Sequence, residues 1–115
     1  MKCERLEVWK RASALSAEIY IYFREFKDFG FKDQICRSGL SIPSNIAEGM
    51  ERESAKEKQR FLDISHASCA ELKTQTYIGM KIEYIDKQTG MGWLNEIEEL
   101  ARMISGLKKS LDSKC

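Results

Sequence analysis

One proline, one histidine and seven glycines in 115 residues are the scarcities of this sequence. So little turn-forming material argues against an all-β fold, whose many short strands need frequent breaks. No apolar run approaches a membrane span, and the opening stretch MKCERLEVWKRASAL has no apolar core of signal-peptide length. Bulk charge is missing too. With 19 basic and 18 acidic residues the net charge is +1, so any nucleic-acid surface must come from local arrangement. The four cysteines, Cys3, Cys36, Cys69 and Cys115, include no C-x-x-C pair. Reduced thiols in a cytoplasmic protein, without an intrachain disulfide, are the expectation. The first three cysteines are spaced by 33 residues, but KCERLE, ICRSGL and SCAELK share too little to mark a repeat.

What is present is helical periodicity. The length fits one domain, residues 1–115, and 43% hydrophobic with 32% charged residues is an ordinary globular composition. Residues 4–28 carry Val8, Ala12, Leu15, Ile19, Tyr22 and Phe26 at steps of three and four, and Trp9, Ser16, Tyr20 and Phe23 widen that stripe. Gly30 in KDFGFKD reads as a helix stop. A second helix is expected from Gln34 to Met50, with Asp33 as its N-cap and Ile35, Gly39, Ile42, Ile46 and Met50 as its apolar stripe. Ser54 and Glu57 form a capping-box pattern that opens a third helix running to about Ile85. Its expected seam is Phe61, Ser65, Ser68, Leu72, Gln75, Gly79 and Ile82. After DKQTGMG, a fourth helix from about Gly92 to Ser113 carries Trp93, Ile97, Leu100, Ile104, Leu107 and Leu111. Four helices with short connections predict an all-α, antiparallel up-down-up-down four-helix bundle.

Pro43 sits inside the second helix, in SIPSNIAEG. It donates no N–H to the carbonyl of Gly39 and crowds it. The apolar stripe keeps its phase across the proline, so the reading is one helix kinked at Pro43 rather than two helices.

LEVWKRA near the start, QICRSGLSIPSNIAEGMERES in the centre and FLDISHASCAEL in the third helix resemble the four-helix-bundle family of 23S rRNA intervening-sequence proteins. The resemblance covers nearly the whole chain, and the family in turn resembles the accessory variability protein of diversity-generating retroelements. It implies a homopentamer of bundles, with RNA or DNA and a larger nucleic-acid enzyme such as a reverse transcriptase as partners. It implies no established enzyme activity. The family commonly has two basic residues after the QI pair; here Cys36 replaces the first, and Arg37 alone remains.

Two constellations are candidates for function. Arg37, Ser41, Asn45, Glu48 and Arg52 form a polar stripe on the second helix. Ser41, Asn45 and Glu48 read either as a subunit- or ligand-facing surface or as structural groups that satisfy backbone near the proline. Lys10, Arg11, Arg37 and Arg52 are the candidate phosphate contacts. Lys56, Lys58 and Arg60 are interleaved with Glu51, Glu53, Glu57 and Asp63, which reads as a solvated face. His66 has only Asp63 and Cys69 as local metal-ligating neighbours, so a packed or surface histidine is the plainer reading. No nucleophile elbow, glycine-rich phosphate loop or paired catalytic carboxylate motif is present.

The sequence therefore reads as a non-enzymatic homo-oligomeric bundle without cofactor or metal. Its partners would be further copies of itself, and RNA or DNA. The alternative is a structural or protein–protein interaction module that never meets a phosphate. Self-association follows from the apolar stripe of the first helix, wider than one neighbour needs, with Trp9, Tyr20 and Phe23 as the surplus.

Overall fold

The computed structural model describes residues 1–112. A short 3-10 helix, Lys2–Arg5, precedes four α-helices: α1 Glu7–Tyr22, α2 Phe29–Met50, α3 Ala55–Lys81 and α4 Lys87–Asp112. The chain is all-helical among the described residues, and each helix packs on its neighbours in sequence, with α1 also against α4. The bundle measures 47 × 21 × 21 Å. No described helix is long and apolar enough to cross a membrane.

Boundaries of all four helices differ from those expected. The first helix does not run through residues 4–28: Leu6 is extended, with φ −77° and ψ 124°, and separates the 3-10 turn from α1. The second begins at Phe29, so Gly30 lies in its first turn and stops nothing. Asp28, not Asp33, is the N-cap, accepting from the Phe31 N–H at 3.2 Å. Early helix formation brings Phe31 onto Phe23, Phe26 and Tyr84 in an edge-to-face cluster, whose burial outweighs the glycine. The fourth helix begins at Lys87, five residues before Gly92. Asp86 accepts from the Thr89 N–H and hydroxyl, both at 2.8 Å, and so replaces a turn with a capped helix start. Ser113, the expected end of the fourth helix, and Cys115 lie outside the described residues.

α3 ends at Lys81 rather than near Ile85. Glu83 adopts φ 63°, and the Gly79 carbonyl then accepts from the Tyr84 and Ile85 N–H groups at 2.8 and 3.1 Å. A left-handed residue closing a helix is usually glycine, so Glu83 gives no stop signal in the sequence. At the other end of α3, Ser54 accepts from the Glu57 N–H at 3.1 Å, as its capping pattern predicts.

α2 is continuous through Pro43. Gly39 gives it room: a Cβ there would stand 3.2 Å from Ile19 Cδ1, so α1 and α2 approach closely one turn before the proline. Ile19, Phe23, Ile35, Ile42, Ile46, Leu62, Leu72, Ile85, Trp93, Ile97, Leu100 and Ile104 are fully buried. In the seam of α3, Leu62, Cys69 and Thr76 are buried beside Ser65, Ser68, Leu72 and Gly79, whereas Ile82 is 47% exposed. Phe23, expected as surplus apolar surface, belongs to the core of a single chain.

Candidate nucleic-acid interface and polar stripe

The structure does not gather the four candidate phosphate contacts. Each is engaged by its own carboxylate. Arg11, on α1, forks onto Glu96 of α4: Nε donates to Oε2 at 2.9 Å and Nη2 to Oε1 at 2.6 Å, while Nη1 points to Met103 Sδ at 3.5 Å. This bidentate pairing raises the Arg11 pKa and lowers that of Glu96, the shared hydrogen bonds being the main cause of both. Arg11 is therefore a tie between helices, and a phosphate would have to displace Glu96. Lys10 pairs with Glu7 at 3.5 Å on the surface.

Arg37 meets only Asp33 of its own helix, Nε to Oδ2 at 3.0 Å, with the arginine side chain 75% exposed. Such exposed pairs contribute about 0.3–0.5 kcal/mol, so Arg37 is easily released to another anion. Arg52 is held on both sides. Its Nη2 donates to Glu48 at 2.9 Å, and its guanidinium lies 4.8 Å from the centroid of the Phe61 ring. Lys58, expected to be solvated, instead donates to the carbonyls of Met50 and Arg52 and closes the end of α2.

The polar stripe is a hydrogen-bonded seam between α2 and α3. Asn45 Nδ2 donates to the Ser41 carbonyl at 2.8 Å and to Ser41 Oγ at 2.9 Å. Ser41 Oγ lies 2.7 Å from Ser68 Oγ, and Ser68 Oγ donates to the Ile64 carbonyl at 3.0 Å. Because Ser68 spends its one proton on Ile64, Ser41 must be the donor between the two hydroxyls. The chain of donors thus runs one way, from Asn45 through Ser41 and Ser68 to the α3 backbone. Deeper in, Ser65 Oγ donates to the Ile42 carbonyl, next to Pro43, at 2.9 Å. The residue types Ser41, Asn45 and Glu48 are legible in the sequence; Ser68, which meets Ser41, and Ser65, which meets the Ile42 carbonyl, read there as small side chains for close approach.

At one end of the bundle two further ties join separate helices. Tyr84 donates to the α2 N-cap Asp28 at 2.7 Å, and Tyr22 to the α4 cap Asp86 at 3.3 Å. His66 lies over a small groove of about 180 Å³ with Cys69, Lys73 and Glu98, and the described residues contain no group of three side chains able to hold a metal. Cys3, Cys36 and Cys69 are free and buried, and burial pushes the Cys69 thiol up to about 12.

Comparison with known proteins gives two findings. The family profile described as 23S rRNA-intervening sequence protein matches residues 4–106. Among solved structures, the chain is similar to a protein of unknown function from the S23 ribosomal protein family of Bacteroides thetaiotaomicron. The TM-score is 0.83 at 24% identity, over 89% of this chain and 98% of that one. At that identity the likeness shows the fold. No curated protein matches the chain.

Proposed function

Since the chain belongs to the 23S rRNA-intervening sequence protein family, we propose that it is a non-enzymatic, self-assembling helical module. One observation carries this reading: the core is complete, yet Tyr20, Ile21, Phe29, Leu40, Ile78 and Ile82 remain 43–71% exposed. Monomers seldom leave such side chains in contiguous patches. The expected product is a closed homo-oligomer, with five copies as the number the family resemblance implies. Light scattering tests it. A mass that is a multiple of 13.3 kDa supports assembly, and a monomer at micromolar concentration refutes it.

A second reading rests on Arg37. Its exposure and its weak local partner leave it open to phosphate, and a ring would repeat it once per copy. The protein would then hold RNA or DNA weakly, as an accessory to a larger nucleic-acid enzyme such as a reverse transcriptase. Titration with RNA at rising salt decides between the readings. Affinity that falls steeply with salt and with Arg37→Ala supports phosphate contact. Absence of binding, or binding indifferent to both changes, leaves the protein-interaction module.

A further inference from the structure

α1 and α4 are neighbours that no loop joins, and polar side chains tie them together. Arg11 forks onto Glu96, and Tyr22 reaches Asp86 about three turns along α1. Between these ties the two helices leave an open cleft of about 400 Å³. The sequence explains the gap. Arg11, Ala14 and Glu18 share one side of α1, as Thr89, Gly92 and Glu96 share one side of α4. The small residues stand in the middle of both rows, and a Cβ at Gly92 would meet nothing within 4 Å. Glu18 is fixed at the cleft by one oxygen. Trp93, only 2% exposed, donates its indole Nε1–H to Glu18 Oε2. Glu18 forms no ion pair among the described residues, so Oε1 keeps an unneutralised charge. The other charges argue against an anion as occupant. Arg11 is the one cation lining the cleft, and Glu96, Glu99 and Glu7 already attract it. At the start of α4, Asp86 takes the backbone N–H groups of Gln88 and Thr89.

We infer that this cleft binds a small aliphatic amine, with the ammonium group on Glu18 Oε1 and the carbon chain laid along Ala14, Leu15 and Gly92. The volume falls in the range of small-molecule pockets, about 300–1,000 Å³. Arg11 and Glu18 are two helical turns apart, roughly 10 Å at 1.5 Å per residue, which sets the length of chain that fits between them. An ammonium is a compact charge with three donors, and a carboxylate oxygen with free lone pairs accepts from it strongly. The indole holds that carboxylate in place before the ligand arrives, so little ordering is left for binding to impose. Arg11 closes the far end against a second cation by repulsion, which favours one charged head and an apolar tail. The cleft contains neither Arg37 nor the exposed apolar residues of the self-assembly reading, and it stands independently of both.

The test follows the indole N–H signals of Trp93 and Trp9 by nitrogen-15 NMR of the full chain; Trp9 lines no part of the cleft and serves as the internal control. Hexylammonium chloride, titrated at constant ionic strength, should shift the Trp93 signal saturably, with a Kd of about 1–10 mM for so few heavy atoms. Hexanol and hexanoate at the same concentrations should not. Glu18→Gln keeps an oxygen for the indole but loses the charge, and should weaken binding by roughly 10-fold. Gly92→Leu fills the cleft and should abolish the shift; Ala14→Leu replaces it if its Trp9 signal shows a disturbed fold. A lysine side chain carries the same ammonium group, so Nα-acetyl-lysine amide is titrated as well. Binding as tight as that of hexylammonium names a protein lysine as the source, and weaker binding a free amine. No saturable shift, an equal shift with hexanoate or sodium chloride, or full binding by Gly92→Leu overturns the assignment.

Discussion

Replacing Gly79 by alanine should destabilise the protein, although the same change at Gly92 or Gly106 should stabilise it. Alanine in place of a helical glycine gains about 1 kcal/mol of helix propensity. At Gly79 the new methyl would lie 2.9 Å from Ile85 Cγ1, closer still to Ile85 Cδ1, and 3.0 Å from Phe31 Cζ. Ile85 cannot easily yield: it is 2% exposed and its N–H is fixed to the Gly79 carbonyl at 3.1 Å. Overpacking of this kind costs about 1–3 kcal/mol, and a forced rotamer about 0.5–1.5 kcal/mol of that order again. The cost exceeds the gain, for a net loss of about 1–2 kcal/mol. A Cβ at Gly92 or Gly106 would meet nothing within 4 Å, so Gly92→Ala and Gly106→Ala should each stabilise by about 0.5–1 kcal/mol. Urea unfolding of the three variants at one fixed protein concentration reads the sign directly. A Gly79→Ala protein as stable as Gly106→Ala would refute the close packing of α3 on the turn that follows it.

The donor chain between α2 and α3 should appear as coupling: Asn45→Ala and Ser68→Ala should each cost about 1 kcal/mol and fall short of additivity by about 0.5 kcal/mol or more in a double-mutant cycle. Acid should loosen the end of the bundle held by Asp28 and Asp86. The Tyr84 hydroxyl and the Phe31 N–H lower the Asp28 pKa, and the Thr89 N–H and hydroxyl lower that of Asp86. Depressed folded values mean that this stabilisation is complete above the ordinary value of 3.8 and is lost as pH falls below it through the folded values. Melting temperature should therefore decline below that pH, and Tyr84→Phe should shrink the decline. Cys69, with its thiol pushed up to about 12, should resist alkylation in the native state at pH 8 and react only on unfolding. Labelling of Cys69 at the rate of a free thiol would contradict its burial.

The fold class was legible because periodicity and length are strong signals in all four helices, and Ser54 with Glu57 located one helix start almost to the residue. The missed boundaries share a cause. Gly30 and Gly90 read as breaks, yet each lies in the first turn or so of a helix behind an aspartate cap, where long-range contacts decide. A Cβ at Gly90 would collide with Met80, so that glycine serves the approach of α4 to α3 and not a turn. Glu83 stops α3 without the usual glycine. In the candidate site, the stripe from Arg37 to Arg52 was visible as spacing on one helix. Ser68, the partner of Ser41, is 27 residues away, Ser65 lies 23 residues from the Ile42 carbonyl it meets, and Glu96 lies 85 residues from Arg11, so no local pattern announces them. The same distance explains why Arg11 looked free in the sequence and is tied in the fold.

The central claim is that the exposed apolar faces exist to bind further copies of the chain. The most direct measurement is the native mass of the parent protein at micromolar concentration and moderate salt, by light scattering or native mass spectrometry. The account predicts one discrete assembly, several times 13.3 kDa, that does not grow further with concentration. A stable, well-folded monomer of 13.3 kDa would contradict it.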